Sequence, residues 1–338
     1  MKEKESKPVP LAVVCGDVHL QSTTPSCRKE SDWFGVMEQG LGAVLELSTQ
    51  YEVPVLCAGD LFDRWNSSVE LAHFALLQLR KFRHGFFCIP GQHDLPYHNL
   101  SQCHKSIYGL MKWCDTFFDL TSYRECAVLA SSLCQSMEVA PFSLAGFPWG
   151  FSKEDLIRRT KTREVQKVYF GGHTALRVAL VHHYVWSDAK NCHLDGDPLG
   201  NVQELAKVFR AFDVVICGDN HIPFECRVGN TLFYNCGPLF VRRSDEAKLR
   251  PSVGILYSDG TVKRKKLQVP APEMAEKACQ TVDVSTFLEQ FTDHLERVSS
   301  QQDYTGLRYE DILEIELSRV SQTVRTLILR SLENHTTK

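Results

Sequence analysis

Ten side chains able to hold a divalent cation or to carry a proton stand at the ends of five short apolar runs. LAVVCGDVH delivers Asp17 and His19, and VPVLCAGD delivers Asp60. GFFCIPGQHD delivers Gln92, His93 and Asp94, RVALVHHYV delivers His182 and His183, and FDVVICGDNH delivers Asp219 and His221. Carboxylate and amide oxygens mixed with imidazole nitrogens suit hard or borderline divalent ions. One Gly-Asp after an apolar run would only close a turn. Repetition at five strand ends predicts a single metal centre, holding two metals, above a sheet.

The elements that must position these donors follow from the pattern of apolar residues. Val53, Val55, Leu56, Cys57 and Ala58 read as a buried strand, and the Gly59-Asp60 step leaves one carboxylate at its carboxyl end. Open α/β sheets hold their ligands at that edge. Residues 11–15 and 86–89 read as flanking strands. Between them, Trp33 to Leu45 carry apolar residues at helical spacing, and Ser67 with Glu70 reads as a capping box opening a second helix. The resulting βαβαβ order predicts parallel strands with right-handed crossovers.

Further on, residues 98–114 read as a helix, the run from Phe117 to Phe147 as several short strands, and Ser152 with Asp155 as a helix cap. That helix carries Arg158, Arg159, Lys161 and Arg163, either a solvated face or a set of phosphate contacts. Strands are expected at 177–181 and 214–217, with a helix near 201–209 between them, and antiparallel strands at 231–235, 253–257 and 262–269. Ser258-Asp259-Gly260 is a hairpin signal between the last two strands. Beyond Pro270 and Pro272 the pattern changes to amphipathic helices, with Phe287, Phe291 and Leu295 on one and Ile312, Ile315 and Val324 on another. Residues 1–10 read as a disordered lead-in, 11–270 as the catalytic domain and 271–338 as a small helical appendage.

Composition narrows the class. A chain of 338 residues with 43% hydrophobic residues suffices for one large α/β domain with an appendage. No uninterrupted apolar segment reaches the ~20 residues that span a bilayer. The polar start MKEKESKPVP has no apolar signal core, so the expected location is cytoplasmic, with no membrane partner. Thirteen cysteines, several inside predicted strands and none at zinc-knuckle spacing, read as buried small hydrophobes in a reducing compartment. A net charge of -3 excludes a protein that coats nucleic acid by charge alone.

In order, GDVH, GDLFD, GQHD, VHHY and GDNH resemble the motifs of the calcineurin-like metallophosphoesterase superfamily. Its usual forms are DxH, GDxxD, GNHD, an isolated His and GHxH. The resemblance implies a β-sandwich flanked by helices in αββα layers, an α/β fold. GDLFDRW, IPGQHDLPYHN, NCGPLFVRRS and PSVGILYSDGTV further resemble the SbcD-type DNA exonuclease branch, including phage-borne relatives.

By that resemblance, Asp17, His19 and His221 would bind the first metal and Asp60 would bridge both. Gln92, His182 and Asp219 would bind the second, with His183 as the alternative to His182. Gln92 stands where the family has Asn, and Asp219 where it has His, which shifts the second position toward harder ions such as Mn²⁺, with Mg²⁺ and Fe²⁺ as other candidates. His93 matches the family's non-ligand histidine and is the expected proton donor to the leaving oxygen, with Asp94 orienting its imidazole and raising its pKa.

The implied function is a Mn²⁺-dependent DNA exonuclease or endonuclease. The implied partners are DNA, an SMC-like ATPase of SbcC type and a second copy of the chain. The alternatives are a phosphodiesterase or phosphatase on a small nucleotide or phosphoprotein, and a catalytically weakened binding scaffold.

Overall fold

The computed structural model describes residues 7–121, 142–161, 169–170, 173–174, 176–188, 190, 192 and 200–275. All of these belong to one compact unit, Met1–Ala275. The expected helical appendage, the start of the lead-in, most of the run from Phe117 to Phe147 and Arg163 lie outside the described residues.

Two sheets pack face to face. The first is assembled from β1 (Pro10–Cys15), β2 (Val55–Cys57), β3 (Phe86–Cys88) and β4 (Phe118–Asp119), all parallel. The second contains β5 (Phe142–Phe147), β8 (Leu176–His182) and β9 (Val214–Gly218), with the short pair β6 (Tyr169–Phe170) and β7 (His173–Thr174) as a separate ribbon. Strands β10 (Phe224–Val228) and β11 (Thr231–Asn235) extend this second sheet to the order β10-β11-β9-β8-β5. Strands β12 (Ser252–Tyr257) and β13 (Val262–Lys266) return to the first, giving β13-β12-β1-β2-β3-β4.

Three apolar layers hold the sheets together. Alternate residues of the central strands face opposite ways, so Val14, Leu56 and Phe87 meet Val178, Leu180, Val214 and Ile216 between the sheets. Val13, Val55 and Phe86 face outward onto α1 (Trp33–Tyr51), α2 (Val69–Leu79) and α3 (Ile107–Trp113). On the far side Ala179, Val181 and Val215 pack with residues of α4 (Lys153–Thr160) and α5 (Val202–Phe209). The layers are therefore helix, sheet, sheet, helix, the α/β sandwich expected from the motifs.

Several local expectations shift. The cap of α2 is Ser68, whose side chain accepts the N–H of Leu71, while Ser67 Oγ donates to Arg64 O. The expected helix at 98–114 is two 3₁₀ turns followed by the shorter α3. Strand β11, expected to be antiparallel, is so only to β10, an element absent from the expected strands, and runs parallel to β9. On α4 the Ser152 and Asp155 capping box forms, but Arg159 does not join a basic face. It is 1% exposed, donating Nη1 to Thr121 O and Nη2 to Leu120 O, so it closes the end of β4. Cys15, Cys57, Cys88 and Cys217 are buried, and among the described residues no cysteine is in a disulfide. No helix among the described residues is long and apolar enough to cross a membrane.

Candidate metal centre

The carboxyl ends of β1, β2, β3, β8 and β9 converge, and the chain bends sharply where it leaves them. Asp17 (φ 48°), His19 (φ 49°), Asp60 (φ 48°) and Asp219 (φ 76°) all adopt the left-handed backbone region. Left-handed non-glycine residues are uncommon and cluster where side chains must be held for a task. The bends are braced by the bonds Asp17 N–H to Gly59 O at 3.1 Å and His19 N–H to Asp60 O at 2.8 Å. Two glycines permit the crowding: a Cβ on Gly91 would lie 2.1 Å from Asp60 Oδ1, and one on Gly59 would lie 2.3 Å from His182 Nδ1.

Three overlapping triads result. Asp17, His19 and His221 form one, His19, Asp60 and His93 a second, and Asp17, Asp60 and His182 a third, each with its donor atoms within 4.8 Å of one another. The Nε2 nitrogens of His19 and His221 lie 3.3 Å apart. Asp17 Oδ2 and Asp60 Oδ2 are buried without a hydrogen-bond partner. A buried carboxylate oxygen left without a partner is costly unless a cation faces it. Residues Asp17, His19, Asp60 and His221 therefore fit a divalent ion by the chemistry of their donors and by these orphaned oxygens.

Gln92, His182 and Asp219 also come together, but they satisfy one another. The Gln92 amide nitrogen donates to Asp219 Oδ1 at 2.7 Å, and its oxygen meets His182 Nε2 at 2.7 Å. His182 Nδ1 donates to Ala58 O at 2.6 Å, and Nε2 lies 3.4 Å from Asp60 Oδ2. Of the tandem histidines, it is His182 that reaches the donor cluster. His183 is in none of the triads formed by the described residues.

The electrostatics follow from burial and mutual charge. Burial, with Asp60 nearby, pushes the Asp17 carboxyl up to about 6 against the attraction of His221 and His182. Burial also acts on Asp60, but His182 and His93 outweigh it and hold Asp60 well below the usual carboxylate range. Desolvation, then the charge of Arg242, lowers the His19 imidazole. In His182, burial is outweighed by Asp60, Asp17 and Asp219, which raise its pKa.

One expectation is corrected. Asp94 does not touch the His93 imidazole: its buried carboxylate accepts the N–H groups of Leu61, Phe62 and Gly91, at 3.1, 2.8 and 2.9 Å. It fastens the β2 and β3 loops to each other. The imidazole is oriented instead by the backbone, with Nδ1 donating to Asp63 O at 3.0 Å. The His93 N–H meanwhile donates to Asp60 Oδ1 at 2.9 Å.

Two residues escaped the sequence analysis. Glu246, 4% exposed, places Oε1 2.5 Å from His221 Nδ1. Asp63 pairs with Arg242 and lies 3.9 Å from His19 Nδ1. Asp63 sits within GDLFD, whose spacing singles it out. Glu246 follows His221 by 25 residues and has no motif around it that signals a ligand partner.

A family model described as calcineurin-like phosphoesterase matches residues 11–223. The chain belongs to that family. The matched region takes in every donor named above up to His221, and Glu246 lies beyond it.

Among solved structures, the chain is similar to TT1561 of Thermus thermophilus, at 10% identity and a TM-score of 0.46, covering 76% of this chain and 99% of that one. It is also similar to a putative 5′-nucleotidase from Staphylococcus aureus, at 15% identity and TM-score 0.45, covering 84% and 58%. A novel archaeal phosphodiesterase matches at 12% identity and TM-score 0.37, covering 76% and 99%. No curated protein matches the chain at a significant level.

Proposed function

We propose that this calcineurin-like phosphoesterase is a two-metal phosphodiesterase acting on DNA, a Mn²⁺-dependent nuclease of SbcD type. The observation that carries the phosphodiesterase reading is the convergence of Asp17, His19, Asp60, His93 and His221, from four separate loops, into overlapping triads. DNA as substrate is supported by the resemblance of segments that extend the metal motifs or lie beyond them. Two of them frame the site: the stretch from Ile89 to Asn99 carries Gln92 and His93, and the stretch from Asn235 to Ser244 carries Arg242, beside Glu246. An SMC-like ATPase subunit and a second copy of the chain are the partners that belong with this reading.

In this reading Asp17, His19 and His221 would hold one cation and Gln92, His182 and Asp219 a second, with Asp60 as the carboxylate shared by both. Such a cation pair lowers the pKa of water and offsets charge on the phosphoryl oxygens in an in-line displacement. The protein's own chemistry is then positioning and proton transfer. His93 is fixed at Nδ1 by Asp63 O, so Nε2 is the nitrogen that, in the imidazolium form, gives its proton to the departing oxygen and leaves a neutral ring with the N–H on Nδ1. His19 stands edge-on to it, with ring centroids 5.0 Å apart. To take up the second cation, the Gln92 amide must release Asp219 and His182.

The test is turnover of a labelled duplex and a labelled single strand, with Mn²⁺ and with chelator, beside cyclic nucleotides and a chromogenic phosphodiester. Metal-dependent cleavage of DNA supports the proposal. Cleavage of small phosphodiesters alone would refute the DNA assignment, and no turnover on any substrate would refute the phosphodiesterase reading itself.

A further inference from the structure

Four aromatic side chains lie on loops next to the donors, one of them against His182, and none is a member of the metal triads or of the apolar clusters. Trp149 follows β5, and its N–H donates to Pro90 O at 3.2 Å, which ties it to the loop carrying Gln92 and His93. Its ring stands 6.4 Å from that of His182, at 68°, and 6.3 Å from that of His98, at 81°. Further along the same loop, Tyr97 tilts against Trp65 at 5.9 Å and 46°. Trp65 in turn lies two residues past Asp63, whose backbone oxygen holds His93. None of Trp65, Tyr97 and Trp149 belongs to the three apolar clusters of the core. Tyr97 is 38% exposed, and Trp65, His98 and Trp149 are half-buried.

The backbone beneath them is strained. Tyr97 (φ 52°) and His98 (φ 54°) are successive non-glycine residues in the left-handed region, a conformation that ordinary loop packing does not require. Arg64, with a side chain 76% exposed and 3.8 Å from Asp63, precedes Trp65.

We infer that Trp149 with His98, and Trp65 with Tyr97, form a nucleobase-stacking subsite for an unpaired nucleotide beside the scissile phosphate. The inference rests on the nuclease reading and narrows it. A phosphate held by the donor cluster carries its base one sugar away, and Trp149, edge-on to His182 at 6.4 Å, offers a large aromatic surface beside that cluster. Aromatic rings hold bases whatever their sequence, because every base has a π-face. Bases inside a duplex are already stacked on one another, so the subsite takes a single strand or a frayed end. A free nucleotide offers the same base chemistry, and the test separates the two sources.

The experiment compares wild type, Trp149→Ala, Trp149→Phe and Tyr97→Ala on three substrates with Mn²⁺. These are a labelled single strand, the same strand with one abasic residue moved stepwise along it, and 2′,3′-cyclic nucleotides. Trp149→Ala should raise KM on the intact strand by ~5–150-fold, the range given by aromatic stacking on one base. The change in kcat should be smaller, Trp149→Phe should restore most of the loss, and Tyr97→Ala should show a lesser version of it. An abasic residue beside the cleaved bond should impair wild type and leave Trp149→Ala nearly unchanged.

Equal KM for wild type and both alanine variants on the intact strand would overturn the inference, as would equal losses on intact and abasic strands. Base dependence confined to cyclic nucleotides would overturn the strand assignment. If wild type cleaves no oligonucleotide at all, it is the nuclease reading beneath that fails.

Discussion

Replacing Glu246 by Gln removes a charge that touches no proposed substrate atom, yet it should reach the metal centre through one hydrogen bond. Glu246 Oε1 lies 2.5 Å from His221 Nδ1, while Oε2 accepts the N–H groups of Arg242 at 2.8 Å and Arg243 at 3.1 Å. Burial works against the charged carboxyl, but the His221 contact and the backbone donors hold its pKa below the ordinary value, so it is ionised at neutral pH. An ionised partner keeps the imidazole proton on Nδ1 and leaves the Nε2 lone pair facing His19 and the triad.

A hydrogen bond to a charged group is worth ~1.5–3 kcal/mol, which corresponds to roughly 10- to 150-fold in an equilibrium. Loss of the partner behind a metal-bound histidine costs about 10- to 100-fold in affinity. The two ranges overlap, so Glu246→Gln should weaken the first cation by ~10–100-fold. The amide keeps one oxygen to accept a backbone N–H, so the fold should survive. Calorimetric titration of chelator-stripped protein with Mn²⁺, beside circular dichroism, reads both quantities. Wild-type affinity in a folded variant would refute the role of Glu246 and the alignment of His221 drawn from it.

Further outcomes follow from the same geometry. His93→Ala should lose ~10²–10⁴-fold in kcat while elemental analysis finds its metal content unchanged; wild-type turnover would remove it as the proton donor. Asp94→Ala leaves three buried backbone N–H groups without their acceptor, at ~1–3 kcal/mol for each group left unsatisfied. It should therefore lower the melting temperature sharply, and an unchanged melt would contradict the bracing role. The Asp17 carboxyl, raised by burial to about 6, favours the metal-free fold below its unfolded pKa, and that contribution is lost as pH rises through about 6. Cation binding relieves the buried charge, so the Mn²⁺-induced rise in melting temperature should grow between pH 5 and pH 7.5. A shift independent of pH would contradict the Asp17 assignment.

The sequence made the donors legible because each ends a buried strand, and a strand that stops at Gly-Asp or Gly-Gln-His-Asp must spill its side chains at the sheet edge. Contacts between neighbours in sequence were less legible. Asp94 follows His93 directly, yet its carboxylate turns to three amides while the imidazole meets Asp63 O. The choice between His182 and His183 depends on which face the last residue of β8 presents, and two adjacent histidines conceal that register. Arg159 looked like part of a basic helical face, but the carbonyls of Leu120 and Thr121 draw it inward. Glu246 was invisible because its link to His221 spans two intervening strands and exists only in three dimensions. The alternation in FECRV, with Phe224, Cys226 and Val228 on one face, is the signal that marks β10.

Anomalous scattering from crystals of the protein soaked in Mn²⁺ tests the central claim most directly. The expected map has two peaks ~3.5–4 Å apart, one among Asp17, His19 and His221, the other among Gln92, His182 and Asp219, with Asp60 between them. Peaks away from Asp60, or none at saturating metal, would contradict it.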